Sequence, residues 1–310
     1  MTGRRLFRDP AVGVHFARVG GLATRLHPML LCTLVVVLVA LVEFVAARIF
    51  DPPGPLERLV TSTTLVPGRT GLHWSDFVTA PVMLGIIAFG VLAAQRSTAA
   101  MLCDGVRIGL RESIRYAAKR WLSSFAALLV SPVVLVLILW LLSLFGGWLG
   151  SGSGWLLVLT GPVWIIAAMV AAVLLVVWPL ANPLILPSVA CNDADAPDAW
   201  ARAHAYAVAK PAHLLWYRLV TLVPAVALGV LAFACARAAT WILDMTIWSE
   251  LPVDSAVSGI ASLWNTIPFL LASGVGLSGL SASSVATYML IRQRVDGQHS
   301  AELWWPRDEK

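Results

Sequence analysis

Residues 29–47 read Met29-Leu-Leu-Cys-Thr-Leu-Val-Val-Val-Leu-Val-Ala-Leu-Val-Glu-Phe-Val-Ala-Ala47. The run carries one charged residue, Glu43, and neither Gly nor Pro. A helix needs about 20 mostly apolar residues to cross the hydrocarbon of a bilayer, and this run has that length. Five more stretches have the same character: about 77–94, 121–144, 155–180, 214–236 and 260–291. The last is long enough for one span plus a turn or an interfacial start. The sequence therefore predicts an all-α integral membrane protein with six transmembrane helices in a single membrane domain, 1–310.

The rest of the composition agrees. Of 310 residues 59% are hydrophobic and 13% charged, and mean hydropathy is +0.81. Soluble domains carry about 25% charged residues, so this chain lacks the polar groups to cover a water-facing surface. Four cysteines are too few for a disulfide scaffold. Low charge excludes intrinsic disorder. Unbroken apolar runs exclude a barrel, whose strands alternate apolar and polar residues. The first apolar run begins too late and runs too long for a cleaved signal peptide, so it is expected to stay as an anchor.

Charge sets the orientation. Threading six spans puts eighteen Lys and Arg on one side and four (Arg48, Arg58, Arg69, Arg237) on the other. Basic loops stay in the cytoplasm. The expectation is a bacterial cytoplasmic (inner) membrane protein with both termini inside. The formal charge of +5 is then an orientation signal, and no nucleic-acid partner is expected. Trp121, Trp155, Trp178, Trp216, Trp241, Trp248 and Trp264 fall near span ends, where amphipathic rings favour the headgroup zone.

The sequence offers two or three amphipathic helices on the inner leaflet: two inner loops, and a degenerate N-terminal copy at 9–28 with Phe16, Leu22 and Arg25. In 104–121, Val106, Leu110, Ile114, Ala117 and Trp121 make an apolar face, while Arg107, Arg111, Arg115 and Lys119 recur every fourth position. Like charges at that spacing repel. They are tolerable against anionic headgroups, or on a solvated face. In 195–209, Asp195 is the expected N-cap, Pro197 lies in the first turn, and Pro211 bends the chain into the fifth span. Trp200, Ala203 and Ala207 make one face; Asp198, Arg202 and Tyr206 make another. A short outer helix is expected around 241–248. The pattern of amphipathic helix, Lys or Arg, then span suggests three repeats (9–95, 104–182, 195–291) followed by a cytoplasmic tail, 292–310.

Pro183-Leu-Ile-Leu-Pro-Ser188, Asp195-Ala-Pro-Asp-Ala-Trp-Ala-Arg202, Lys210-Pro-Ala-His-Leu-Leu-Trp-Tyr217 and Tyr288-Met-Leu-Ile-Arg-Gln-Arg-Val-Asp296 resemble a signature of uncharacterised, planctomycete-type bacterial membrane proteins. These are distantly similar to the membrane domain of glycerophosphodiester phosphodiesterases. The resemblance covers about 96–298. It implies a six-helix membrane protein without an assigned reaction, so it transfers no catalytic residue, and the phosphodiesterase catalytic domain has no counterpart here.

Candidate chemistry is sparse. Glu43 is the one acid inside a span, where an ionisable group is by default a functional candidate. It either pairs with a cation or proton, or snorkels outward beside Arg48. The six histidines show no metal spacing, and no C-x-x-C, P-loop or G-x-S-x-G occurs. Pro162, Pro179, Pro183 and Pro187 either break the fourth span, as in transporters, or end it. Gly276, Gly279 and Ser283 lie in a small-residue stretch suited to packing within the chain or against a partner. Trp304 and Trp305 in the tail would fold onto the membrane or dock a partner. The expected function is a non-enzymatic scaffold or accessory subunit of a membrane complex, without cofactor, contacting anionic inner-leaflet lipids and an integral-membrane partner. The alternative is a transporter or lipid-handling permease.

Overall fold

The computed structural model describes residues 19, 21–22, 24–50, 74–103, 107–150, 154–246 and 255–297. Among them are seven helices and no strand: α1 (Leu26–Phe50), α2 (Trp74–Cys103), α3 (Leu110–Gly150), α4 (Gly154–Asn192), α5 (Ala196–Ala209), α6 (Pro211–Thr246) and α7 (Ser255–Asp296). All but α5 are long and apolar enough to cross a membrane. The chain is thus an all-α, multi-pass membrane protein. Every described Lys and Arg except Arg48 and Arg237 lies at one end of the bundle, called here the basic end.

Helices α2 and α7 form the centre. Gly90–Ala100 of α2 and Ser281–Arg292 of α7 are buried without a break. Their sequences, Gly-Val-Leu-Ala-Ala-Gln-Arg-Ser-Thr-Ala-Ala and Ser-Ala-Ser-Ser-Val-Ala-Thr-Tyr-Met-Leu-Ile-Arg, explain why. Small side chains let backbones approach closely where lipid gives no hydrophobic drive for helices to associate. Two crossings fix α1 against this centre. A Cβ on Gly90 would come within 2.0 Å of Val35 Cγ2, and one on Gly274 within 2.7 Å of the Thr33 Cα. Glycine is required at both because another helix occupies the space of a side chain.

Helix lengths differ from the expectation in one respect. The basic segment before the third span does not stand apart; it is the first part of the 41-residue α3. Nothing at Arg120-Trp121 stops a helix, whereas Pro211 has no N–H to donate and restrains Lys210, which sits at φ −145°, ψ 64° between α5 and α6. At 1.5 Å per residue α3 is about 61 Å long, twice the hydrocarbon thickness, so it tilts or projects beyond the bilayer. The residues of the expected outer helix at 241–246 continue α6; 247–254 lie outside the described residues.

The prolines do not interrupt α4. Pro179, Pro183 and Pro187 recur every fourth residue within one continuous helix. The bonds they cannot donate, to the carbonyls of Leu175, Pro179 and Pro183, therefore all fall on one side, and the opposite side keeps its ladder. Burial changes sharply along this helix. Between residues 160 and 180 only Ala171 is buried, while Leu184–Cys191 are buried without a gap.

Candidate functional site

The last turn of any helix leaves carbonyls without intrahelical partners and carries partial negative charge. At the basic end, the end of α4 is answered by α2 and α3. The buried Arg96 guanidinium of α2 donates to the Ala190 carbonyl at 2.7 Å. The Tyr116 hydroxyl of α3 donates to the Val189 carbonyl at 2.7 Å and lies 3.1 Å from the Asp193 carboxylate. Arg96 also stacks over the Tyr116 ring, 4.5 Å from its centroid. A cation beneath a low-dielectric bundle is costly unless several partners share it; here a helix terminus and an aromatic face both do.

Beyond α4 the chain reverses at Asp193, which adopts φ +54°. This conformation turns its carboxylate toward α3, where Arg120 grips both oxygens. The third guanidinium nitrogen of Arg120 pairs with Asp195 at 2.7 Å. Asp195 occupies the N-cap position of α5 but makes no side-chain cap bond. The ion pair with Arg120 takes its carboxylate instead.

Helices α5 and α7 close the other side. Asn192 donates its amide N–H to the Tyr288 hydroxyl, the Tyr206 and Tyr288 rings pack 5.8 Å apart, and the Tyr206 hydroxyl donates to Asp296. Tyr206 is buried rather than sharing the outer face of Asp198 and Arg202. It lies three residues from Ala203 and seven from Ala199, on the buried stripe of α5. Burial, then the bond to Asp296, pushes its phenol above the ordinary range. Toward α3, the Trp200 indole donates to Ser131 at 2.8 Å, and His204 lies between Ser131 Oγ at 3.3 Å and the Trp200 carbonyl at 2.9 Å. Burial lowers the His204 pKa. A neutral ring satisfies both of its contacts: Nδ1–H donates to the carbonyl and Nε2 accepts from the serine.

The network therefore ties α2, α3, α4, α5 and α7 into one clamp. Its carboxylates are engaged by Arg120 and Tyr206, and its one serine–histidine contact, Ser131 with His204, has the other ring nitrogen on the Trp200 carbonyl rather than on a carboxylate. Among the described residues no cluster of three or more His, Cys, Asp or Glu could hold a metal ion.

Two cavities lie beside the clamp. An apolar groove of about 580 Å³ runs between α1, α2 and α3, lined among others by Leu31, Leu34, Gly85, Ile86, Trp121 and Phe125. The Trp121 indole donates across it to the Gly85 carbonyl at 2.9 Å. A polar pocket of about 260 Å³ lies where α1 begins and α2 ends, with Arg25, His27, Ser97, Met101 and Arg107 on its walls.

The residues singled out from sequence are dispersed. Glu43 is exposed near the far end of α1, and Arg48 lies over the Phe44 ring, 5.3 Å from its centroid. Arg111, Arg115 and Lys119 form an exposed row on α3 opposite the buried Ser113 and Ala117, whereas Arg107 precedes the helix and lines the polar pocket. Gly279 and Ser283 face α6: a Cβ at Gly279 would stand 3.2 Å from Ala225, and Ser283 Oγ is 3.0 Å from Thr221 Oγ1. Gly276 passes Gly229 closely. Trp304 and Trp305 lie outside the described residues. His213 packs edge-on to Tyr217.

Sequence reasoning missed Arg96, Tyr116, Arg120, Asp193 and Tyr288 as a group. One signal was available: Gln95-Arg-Ser-Thr98 interrupts a helix that keeps its small, apolar character on both sides, through Cys103. No protein-family model, curated protein or solved structure gives a significant match to this chain.

Proposed function

We propose that this chain is a non-enzymatic accessory subunit or scaffold in a larger complex of the bacterial inner membrane, with its basic end in the cytoplasm. The observation that carries this reading is the contrast along α4. Its basic end is locked in the clamp, while residues 160–180 bury only Ala171. On that open length Gly161, Ala168 and Ala172 share one face, and nothing stands within 4 Å of where a Gly161 Cβ would be. Small residues along one face permit close helix–helix approach in lipid, and a fixed base holds that face in a defined direction. The fitting partner is a transmembrane helix of another subunit.

In-cell photo-crosslinking from Ile165 or Met169, both exposed, should capture a discrete membrane protein, and Ala168→Phe with Ala172→Phe should abolish the adduct. Recovery of lipid adducts alone would overturn the reading. The second reading, a lipid-handling permease, is favoured by the apolar groove between α1, α2 and α3. It requires that Val82→Trp, which would fill that groove, slow lipid flux in reconstituted vesicles.

A further inference from the structure

The groove and the polar pocket lie one after the other along the same pair of helices. On α1, His27 belongs to the polar pocket, and Leu31, Leu34 and Leu38 belong to the groove. Their spacing of four, three and four residues puts them on one helical face. On α2, Ile86 and Gly90 line the groove, while Ser97 and Met101 line the pocket, again a stripe of four, seven and four. Leu31 lies about 6 Å along α1 from His27 at 1.5 Å per residue. The seam therefore passes from basic to apolar over the distance between a phospholipid's phosphate and the start of its chains.

Charge selects the occupant. Arg25 and Arg107 both border the pocket, and among the described residues no acidic side chain lines it. Guanidinium groups match the geometry of phosphate oxygens. Below them the groove is apolar, lined by Leu34, Leu38, Val82, Ile86 and Phe89, and its volume of about 580 Å³ offers space for a hydrocarbon chain. We propose that this seam binds one anionic glycerophospholipid, its phosphate between Arg25 and Arg107 and an acyl chain between α1, α2 and α3. The site differs from the exposed row Arg111, Arg115 and Lys119, which offers charge without a groove. It requires a membrane location but neither reading of the function above.

The test is native mass spectrometry of the intact chain released from detergent, titrated separately with phosphatidylglycerol, phosphatidylethanolamine and free glycerol 3-phosphate. Phosphatidylglycerol should bind at least tenfold more tightly than phosphatidylethanolamine. Arg25→Gln with Arg107→Gln should erase that preference. Val82→Trp, at a half-exposed groove position, should weaken binding about tenfold with helical circular dichroism unchanged, which separates a lost site from a lost fold. Arg111→Gln with Arg115→Gln should retain the wild-type preference. Equal binding of the two lipids would overturn the proposal, as would glycerol 3-phosphate binding as tightly as the lipid, which would mark a free-anion site. An equal loss in the Arg111/Arg115 variant, which would mark diffuse surface attraction, would also overturn it.

Discussion

Asp193 holds φ +54°, a conformation that costs most L-residues about 1–2 kcal/mol and that Asp and Asn tolerate best. It also supplies the carboxylate that Arg120 grips and that Tyr116 approaches. Backbone and charge are therefore separable. Asp193→Asn keeps the turn and removes the charge from Asp193, leaving Arg120 with Asp195 alone; the weakened charge-assisted bonds should cost about 1–3 kcal/mol. Asp193→Ala loses both and should be less stable still. Chemical unfolding of the detergent-solubilised chain reads the order wild type, Asn, Ala. An Asn variant as stable as wild type would show that the ion pair contributes nothing. None of this pairing was legible in sequence. Arg120 and Asp193 are 73 positions apart, and Asp195 carried the local signal of an N-cap. A cap is a local preference of under 2 kcal/mol, and a nearby guanidinium outcompeted it.

At the scale of helices, the spans were legible because bilayer thickness imposes a length on any apolar run. The ends were not. Hydropathy falls at Gln95-Arg96, yet α2 continues to Cys103 because a polar residue buried against another helix end needs no water. Packing partners were equally hidden: Gly276 and Gly279 sit three residues apart in one stretch but meet different surroundings. The glycine contacts lead to a graded prediction. Gly274→Ala would drive a methyl into the backbone of Thr33 and should cost about 1–3 kcal/mol as overpacking. Thr33→Ala should not rescue it, because the Cα itself blocks. Gly90→Ala meets only the tip of Val35, so Val35→Ala should rescue it. Gly276→Ala meets nothing within 4 Å and should be neutral. Thermal unfolding of the five variants would decide, and a rescued Gly274→Ala would contradict the α1–α7 crossing.

Considering the whole molecule, charge and burial are polarised along the same axis. The helices that end the three proposed repeats, α2, α4 and α7, are the ones buried at the basic end, and each contributes to the clamp or its core: Arg96, Asn192 and Tyr288. At the far end only Arg48 and Arg237 carry described positive charge. If positive charge fixes the threading, Lys119 and Arg202 lie in the cytoplasm and Arg237 outside. Single cysteines at these three positions, in a chain whose own four cysteines are serine, turn this into a measurement. A membrane-impermeant maleimide added to intact cells should label Arg237→Cys and spare Lys119→Cys and Arg202→Cys until the membrane is permeabilised. Lys119 and Arg202 are both exposed, so their protection could arise only from the membrane. Labelling of Lys119→Cys in intact cells would invert the orientation, and with it the leaflet whose lipids the Arg25–Arg107 pocket could meet. Labelling of all three would break the six-span threading itself, because α3 and α6 each place one apolar crossing between their basic and far ends.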